Sequence, residues 1–173
     1  FAELRATHPE ARLWIVGKKN QPYIDEVLKP ILDAHGLTFG DEADHPDVVF
    51  HGFVSEERKL ELMSRAHALV FPSQREGWGL IITEAAAVGT PSIGYNSAGI
   101  VDALDAGRAG FLCRENTVAE LARQMDAVIT DPEGYQRMRE QAYRFAQQFH
   151  WEFTGKAFDD FMAGPQLSAR TRR

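Results

Sequence analysis

The sequence predicts an α/β fold in which a parallel sheet is covered by helices on both faces. Short apolar segments alternate along the chain with longer segments whose apolar residues recur at helical spacing. Strands that alternate with helices are most simply connected as a parallel sheet. Because such strands are buried on both faces, they are expected to be continuous apolar runs, and the short segments have this character.

Three strands and two helices are predicted in the first part of the chain. A helix over 22–35 is indicated by apolar residues at helical spacing. A second helix begins after Ser55, whose hydroxyl is suited to cap it. The polar and acidic segment 37–46 is predicted to be a loop. The predicted strands cover residues 12–16, 47–51 and 68–71.

Two more strands, at 91–95 and 110–113, are predicted in the second part. A helix over 80–88 precedes them, and its apolar side chains surround the whole circumference, which is typical of a buried helix. Thr117 and Glu120 have the spacing of a capping box, in which each side chain bonds to the backbone N–H of the other residue.

Only helices are predicted after the last strand. The first begins at the capping box, and two others cover 135–149 and 151–162. The terminal helix has aromatic residues on one face, and we expect part of this apolar surface to be exposed or covered by a neighbour. These aromatic residues are Trp151, Phe158 and Phe161.

Composition and charge exclude several classes of function. The chain of 173 residues has a net charge of −6, which argues against a nucleic-acid-binding surface. Its single cysteine, Cys113, allows no internal disulfide and fits a reducing, cytoplasmic compartment. The histidines lack the spacing of metal ligands, so no metal site is predicted. No apolar run approaches the roughly 20 residues of a membrane span, and membrane association is not indicated.

The most informative segment, residues 72–91, joins a predicted strand to the apolar helix. Gly77 and Gly79 allow the backbone to approach a ligand closely. The helix that follows directs unpaired N–H groups and its positive dipole end at this turn, which suits a phosphate. Glu76 and Glu84 carry carboxylates, which accept the hydrogen bonds that sugar hydroxyls donate. The segment therefore predicts a site for a ligand with both phosphate and hydroxyl groups.

A structural interpretation of these residues stays open. The turn at 77–79 can exist without a ligand, and Glu84 can pair with an arginine of the core. Lys18 and Lys19, after the first strand, can assist a phosphate or can form a solvated pair. His51, at the end of another strand, is interpreted as a structural residue in preference to a catalyst.

The loops after the strands are expected to meet, because parallel strands end at the same edge of a sheet. The nicotinamide-dinucleotide fingerprint Gly-x-Gly-x-x-Gly is absent after the first strand, as is a Walker A loop. The domain is therefore predicted to be Rossmann-like without the usual phosphate loop, and an oxidoreductase is disfavoured. The loops in question are 17–19, 52–54, 72–79 and 96–99.

The most informative segment also resembles a known family. Glu76 and Glu84 form Glu-x7-Glu within Pro-Ser-x-x-Glu-Gly-Trp-Gly-Leu and Glu-Ala-x-Ala-x-Gly-Thr-Pro. This context resembles the retaining family 4 glycosyltransferases, also called group 1, and specifically the carboxyl-terminal donor-binding domain of their GT-B fold. The resemblance extends over nearly the whole chain, through segments 12–17, 49–54, 97–112 and 149–152.

The resemblance implies where the sugar and the diphosphate of a donor bind. Glu76 would contact hydroxyls of the transferred sugar and is the candidate catalytic residue. The diphosphate would be held at the helix N-terminus by the backbone N–H groups of Gly77, Trp78, Gly79 and Leu80. Family members retain the anomeric configuration, so catalysis would consist mainly of electrostatic stabilisation of the departing diphosphate.

The nucleoside would lie farther along the same helix. The resemblance implies that Glu84 accepts hydrogen bonds from the ribose hydroxyls and that Val54 lines the base pocket. Lys18, Lys19 and Asn20 replace the Gly-x-Gly-Pro-like turn that is usual in the family, which puts two ammonium groups near the proposed phosphate site. Lys18 is a candidate to assist the diphosphate there, and a solvated lysine pair is the favoured alternative. Asp102 replaces the usual glutamate of the family.

The resemblance also implies how the chain is organised. Residues 1–163 are predicted to be the nucleotide-sugar-binding domain, and 164–173 a basic, disordered tail. The acceptor-binding amino-terminal domain and the family's arginine and Lys-Gly phosphate clamp are expected to precede Phe1, so the chain alone is expected to be inactive. The donor would be a UDP-, GDP- or ADP-sugar, and the acceptor a carbohydrate, lipid or small molecule bound through the missing domain. No cofactor is expected.

Two functions of different classes are compatible with these residues. The first is a sugar transferase, of which this chain is the donor-binding part. The alternative is a non-catalytic nucleotide-sugar-binding or scaffolding module of the same fold. The intact Glu76, Gly77, Gly79 and Glu84 favour the enzyme.

Overall fold

Six short strands form two parallel three-stranded sheets in a computed structural model that describes residues 1–162. The strand order is β1-β3-β2 in the first sheet and β4-β5-β6 in the second. The parallel strands and the helices that connect them confirm the predicted α/β, Rossmann-like class. The predicted tail 164–173 lies outside the described residues. The strands are β1 (Leu13–Val16), β2 (Phe39–Gly40), β3 (Val48–Gly52), β4 (Leu69–Phe71), β5 (Ser92–Gly94) and β6 (Phe111–Leu112).

Helices connect the strands and follow the last one. The predicted helix over 22–35 is present, but its middle turn, Ile24–Leu28, is a π-helix that joins two α-helical pieces. The predicted helix over 135–149 begins at Pro132 and ends in a 3₁₀ turn, Gln147–Phe149. The α-helices are α1 (Ala2–Thr7), α2 (Gln21–Tyr23), α3 (Lys29–Ala34), α4 (Glu56–Arg65), α5 (Leu80–Ala87), α6 (Ala98–Ala103), α7 (Val118–Thr130), α8 (Pro132–Ala146) and α9 (Trp151–Met162).

The predicted helix caps form, with one correction. Ser55 Oγ accepts a hydrogen bond from the Arg58 backbone N–H at 3.2 Å. Thr117 Oγ1 likewise accepts from the Glu120 N–H at 3.2 Å. The reciprocal bond of the capping box is absent from the described hydrogen bonds, because the Glu120 carboxylate instead accepts from the Arg114 backbone N–H at 3.0 Å and from the Arg123 guanidinium. The Arg123 guanidinium and the Arg114 backbone N–H have thus replaced the bond to the Thr117 N–H, and the guanidinium bonds are the stronger because the donor is charged.

The prediction that 37–46 is only a loop was wrong. This segment contains β2 and a 3₁₀ turn, Glu42–Asp44. Thr38 fixes it beside β3, because its N–H and its hydroxyl both donate to Asp47 Oδ2 at 2.9 Å. β2 is only two residues long, so it has no hydrophobic pattern that could reveal it.

Buried apolar residues occur at both sheets, as with Val48 and Val49 of β3, and the two largest clusters lie at the second sheet. Ile93 of β5 packs in one cluster with Leu4 of α1 and Met125 of α7, so the first and seventh helices share a core. A second cluster contains Ile82 of α5 and Leu104, which follows α6. These contacts hold α5, and with it the turn at its N-terminus, against the second sheet.

Helix α9 contributes no buried residue to this core. The side chains of Trp151 and Phe161 are 81% and 80% exposed. The predicted exposure of an apolar face on the terminal helix is therefore confirmed.

Candidate functional site

The loops after β4 and β5 are packed tightly against each other. A Cβ atom at Gly99 would lie within 3.0 Å of the carbonyl oxygens of Glu76 and Gly77. The Ser97 hydroxyl donates to the Ser73 carbonyl at 3.2 Å and joins the same two loops. The expected meeting of the strand-end loops is thus present in the second sheet.

The ends of β1 and β3 are also joined. The Gly17 N–H donates to the Gly52 carbonyl at 2.9 Å. Lys18 and Lys19 follow Gly17, are exposed, and line an open groove of about 500 Å³ together with residues 20–22. The groove gives these ammonium groups access to an anion, and their exposure is equally compatible with a solvated pair.

The glycine turn before α5 has the geometry that the sequence predicts. Gly79 is buried and left-handed, with φ of 81°, and a Cβ atom there would stand 3.1 Å from the end of the Ile82 side chain. Among residues 1–162 no side chain caps α5, and the Ile82 N–H donates to the Gly79 carbonyl at 2.8 Å, so the N–H groups of Leu80 and Ile81 are left without an acceptor from the helix. This is the arrangement that binds an anion at a helix N-terminus.

Glu76 folds over this turn. Its Oε1 accepts a hydrogen bond from the Gly77 backbone N–H at 2.9 Å. One of the four N–H groups that are predicted to hold a diphosphate is therefore bonded to Glu76. A diphosphate and the Glu76 carboxylate would compete for this donor, so binding at Gly77 requires the carboxylate to turn away.

Glu84 has a partner that the sequence did not reveal. Its Oε2 lies 2.9 Å from Lys59 Nζ of α4, and its side chain is 39% exposed. The open alternative of an arginine partner is wrong, because the cation is a lysine. The interpretation of α5 as wholly buried is also wrong at its first and last residues, since Leu80 is 70% exposed and Ala87 is exposed as well. Leu80 and Glu84 share one helix face, about 6 Å apart along the axis.

Trp78 contributes its backbone to the turn but its ring to the core. The indole ring packs edge-on against Phe149 with 5.2 Å between centroids, and Phe149 packs in turn against Phe145. The ring is therefore engaged in packing, and the role of the Trp78 N–H in holding a diphosphate stays a prediction. The 3₁₀ turn that carries Phe149 had no predicted role in the site. It supports the glycine turn before α5 through the contact between Phe149 and Trp78.

His51 is a structural residue, as interpreted from the sequence. Its side chain is 6% exposed and packs edge-on against Trp14, with ring centroids 5.6 Å apart. Burial lowers the pKa of its imidazole, with Glu42 acting in the opposite direction. A neutral, buried ring in β3 is suited to packing.

Residues 1–162 have neither a metal-binding cluster nor a helix suited to a bilayer. They contain no group of three or more His, Cys, Asp or Glu side chains placed to hold a metal ion. None of the described helices has the length and apolar character needed to cross a membrane.

Known proteins resemble the chain in sequence. The family described as "Glycosyl transferases group 1" matches residues 1–145. Glycogen synthase of Mycobacterium tuberculosis is 34% identical over 157 residues, which are 89% of this chain and 35% of the relative. D-inositol 3-phosphate glycosyltransferase of Streptomyces avermitilis is 34% identical over 127 residues, which are 73% of this chain and 27% of the relative. The chain thus spans about a third of the length of these relatives.

Solved structures resemble it in fold. Sucrose-phosphate synthase from Thermosynechococcus elongatus superposes with a TM-score of 0.75 at 22% identity, over 95% of this chain and 42% of that one. HepE of Anabaena, solved in complex with UDP-glucose, gives a TM-score of 0.76 at 22% identity, over 95% and 44% of the two chains. The fold is therefore that of one Rossmann-like half of a GT-B glycosyltransferase. Because the family match covers most of its length, the chain belongs to the group 1 glycosyl transferases.

Proposed function

We propose that this chain is the donor-binding domain of a retaining glycosyltransferase, which transfers a sugar from a nucleotide diphosphate sugar to an acceptor hydroxyl. The observation that carries the proposal is the uncapped N-terminus of α5, with a glycine turn before it and carboxylates at Glu76 and Glu84 on either side. Phosphate suits the helix end, and hydroxyls suit the carboxylates. The likeness to HepE, solved with UDP-glucose, supports a donor of this class.

The proposed donor extends along α5. Its diphosphate meets the backbone N–H groups of the turn at 77–80, and Lys18, which lines the groove at residues 18–22, supplies positive charge. Its ribose meets Glu84, about one helical turn farther on. Its base lies toward Val54, which is supported by the contact between Glu84 and the helix that begins two residues after Val54.

The proposed chemistry needs little from the protein beyond position and charge. The bond between the anomeric carbon and the diphosphate oxygen breaks, and the acceptor oxygen bonds to that carbon on the same face. The acceptor proton leaves with the diphosphate. The N–H groups of the turn stabilise the negative charge that develops on the diphosphate. Glu76 binds hydroxyls of the sugar and orients it.

Several wider features of the protein are part of the proposal. We propose a UDP-, GDP- or ADP-sugar as donor, a carbohydrate, lipid or small molecule as acceptor, and a second domain outside this chain that binds the acceptor. Amides and lysines would hold the diphosphate without a metal. A cytoplasmic site of action is part of the proposal as well, because a chain with the single cysteine Cys113 forms no internal disulfide and fits a reducing compartment.

Calorimetric titration with UDP, GDP and ADP, and with their sugars, tests the proposal. We expect one base to be preferred. Residues 1–173 alone should bind weakly, in the ~mM range, and only the full-length protein should transfer sugar. A folded full-length protein that binds none of the three diphosphates would contradict the proposal. Binding without turnover, under conditions in which an acceptor is consumed by a related transferase, would support the scaffolding alternative.

A further inference from the structure

Lys59 links the two parts of the proposed nucleoside site. It lies on α4, which begins just after Val54, and its side chain is only 20% exposed. Its ammonium reaches the next helix, α5, where Nζ lies 2.9 Å from Glu84 Oε2. The Lys59 side chain therefore connects α4, which lies beside the proposed base position, to Glu84, which is proposed to bind the ribose.

The contact uses one of the two oxygens of the Glu84 carboxylate. Oε2 accepts from Lys59, and no bond to Oε1 occurs among the described residues. The hydrogen bonds to Glu56 and Glu84 raise the pKa of the Lys59 ammonium, so the lysine stays charged. A carboxylate that pairs with an ammonium through one oxygen keeps the other oxygen as a hydrogen-bond acceptor. Oε1 is thus left as an acceptor for a neutral donor such as a hydroxyl.

Lys59 is itself held on both sides. Glu56, one turn earlier on α4, approaches Lys59 Nζ with its Oε2 at 2.6 Å. The ammonium therefore has a partner on its own helix as well as on α5, which restrains its position between the two. Because a glutamate side chain has several rotamers, a fixed cation at one oxygen restricts where the other oxygen points.

We propose that Lys59 is a positioning residue, which holds Glu84 so that Oε1 faces the ribose hydroxyls of the donor. This inference rests on the proposed function, since it needs a nucleotide at Glu84. It assigns to Lys59 an effect on the nucleoside and none on the diphosphate. Simple charge attraction would strengthen the binding of nucleoside diphosphate and pyrophosphate alike, because a cation acts on any anion nearby.

A comparison of two ligands separates these effects. UDP, GDP and ADP are titrated into the full-length wild type, and the tightest of them is then compared with inorganic pyrophosphate. Lys59→Met should weaken the nucleoside diphosphate about 5- to 50-fold and leave pyrophosphate within about twofold. Lys59→Arg keeps the cation and should restore most of the affinity.

The double variant provides the decisive measurement. Once Glu84→Gln is in place, adding Lys59→Met should cause no further loss, because the positioned carboxylate is gone. Lys29→Met is the matched control, since it also removes a lysine from an ion pair, here with Asp25 at 2.8 Å, but on α3 and not on α4 or α5. The control should bind like the wild type. Lys59→Gln, which keeps a hydrogen-bond donor, replaces Lys59→Met if thermal unfolding shows that the methionine variant does not fold.

Each possible result decides the question. Equal losses for the nucleoside diphosphate and pyrophosphate, or equal losses with and without Glu84, overturn the role of Lys59 while the proposed function stands. If folded Lys59→Met and folded Lys59→Gln bind the nucleoside diphosphate like the wild type, the role of Lys59 is also overturned and the proposed function stands. A wild type that binds none of the three diphosphates overturns the proposed function and, with it, this inference.

Discussion

Gly99 lies against the backbone of Glu76 so closely that no side chain fits between them. A Cβ atom at position 99 would stand within 3.0 Å of the Glu76 carbonyl oxygen. The loop that carries the candidate catalytic carboxylate is thereby seated on the first turn of α6. The position of Glu76, which lies in a loop, therefore depends on the small size of Gly99, a residue of α6 that is 23 positions later in the chain.

Gly99→Ala should therefore displace this loop. We expect a loss of about 1–3 kcal/mol in the free energy of unfolding, because the methyl group meets backbone atoms that cannot move independently. Urea unfolding followed by circular dichroism measures it. Gly155→Ala is the matched control, since Gly155 is also helical but has no atom beyond its own helix backbone within 4 Å of the place that a methyl group would take. The control should be neutral or slightly stabilising, and a Gly99→Ala protein as stable as the control would contradict the steric argument.

The two glutamates should separate by ligand. Glu84→Gln should weaken nucleoside diphosphate and nucleotide sugar alike, because both contain the ribose. Glu76→Gln should spare the nucleoside diphosphate and lower turnover of the nucleotide sugar in the full-length protein. Each lost charged hydrogen bond should cost about 1.5–3 kcal/mol, or roughly 10- to 150-fold. Calorimetric titration measures both affinities, and equal losses of nucleoside diphosphate binding in the two folded variants would show that this division of roles is wrong.

Glu120 should make stability depend on acid pH. Hydrogen bonds from Arg123, and then from the Arg114 backbone, lower its pKa from 4.5 to about 2. A carboxyl group whose pKa is lower in the folded state contributes stability above its unfolded pKa and loses it as pH falls through the folded value. The melting temperature of the wild type should therefore fall more steeply between about pH 4.5 and 2 than that of Glu120→Gln.

An exposed carboxylate serves as the control for this pH dependence of the melting temperature. Glu133→Gln removes a carboxylate that is 91% exposed and 3.7 Å from Arg137. Its melting temperature should follow that of the wild type over the same pH range. Parallel curves for Glu120→Gln and the wild type would argue against a stabilising role of the Glu120 hydrogen bonds.

Aromatic side chains on α9 and at the turn should differ in their effect on stability. Phe161 is 80% exposed, so Phe161→Ser should change the free energy of unfolding of residues 1–173 by less than about 0.5 kcal/mol. Trp78 packs against Phe149, so Trp78→Ala should cost about 2–4 kcal/mol. Thermal unfolding measures both. A similarly large loss for Phe161→Ser would mean that α9 is covered in solution.

Much of the fold could be predicted from the sequence because its signals are local. Ser55 and Thr117 cap helices through residues three positions away, and the turn at Gly79 needs a left-handed residue at one position. Periodicity alone places most helices to within a few residues. β2 could not be predicted, because its pairing depends on Thr38 and Asp47, whose contact exists only after the chain has folded.

The candidate site was predictable in its residues but not in its interactions. Glu84 stood out as the one charge in an apolar helix, and this anomaly needed no structure. Its partner Lys59 could not be named, because the pairing depends on how α4 and α5 are placed side by side in the folded chain. The bond between Glu76 and the Gly77 N–H was likewise hidden, since it is set by a rotamer.

The arrangement of the two sheets has a consequence for how the chain folds. All strands of the first sheet come from residues 13–52, and all strands of the second from residues 69–112. Each sheet therefore closes only short loops, whose entropic cost is small. By contrast, α1 meets α7 through His8 and Asp126, which are 118 positions apart and 2.7 Å from each other. Contacts of low sequence separation form fastest, so the two sheets should assemble early, and the docking of α1 should be the late step that completes the native core.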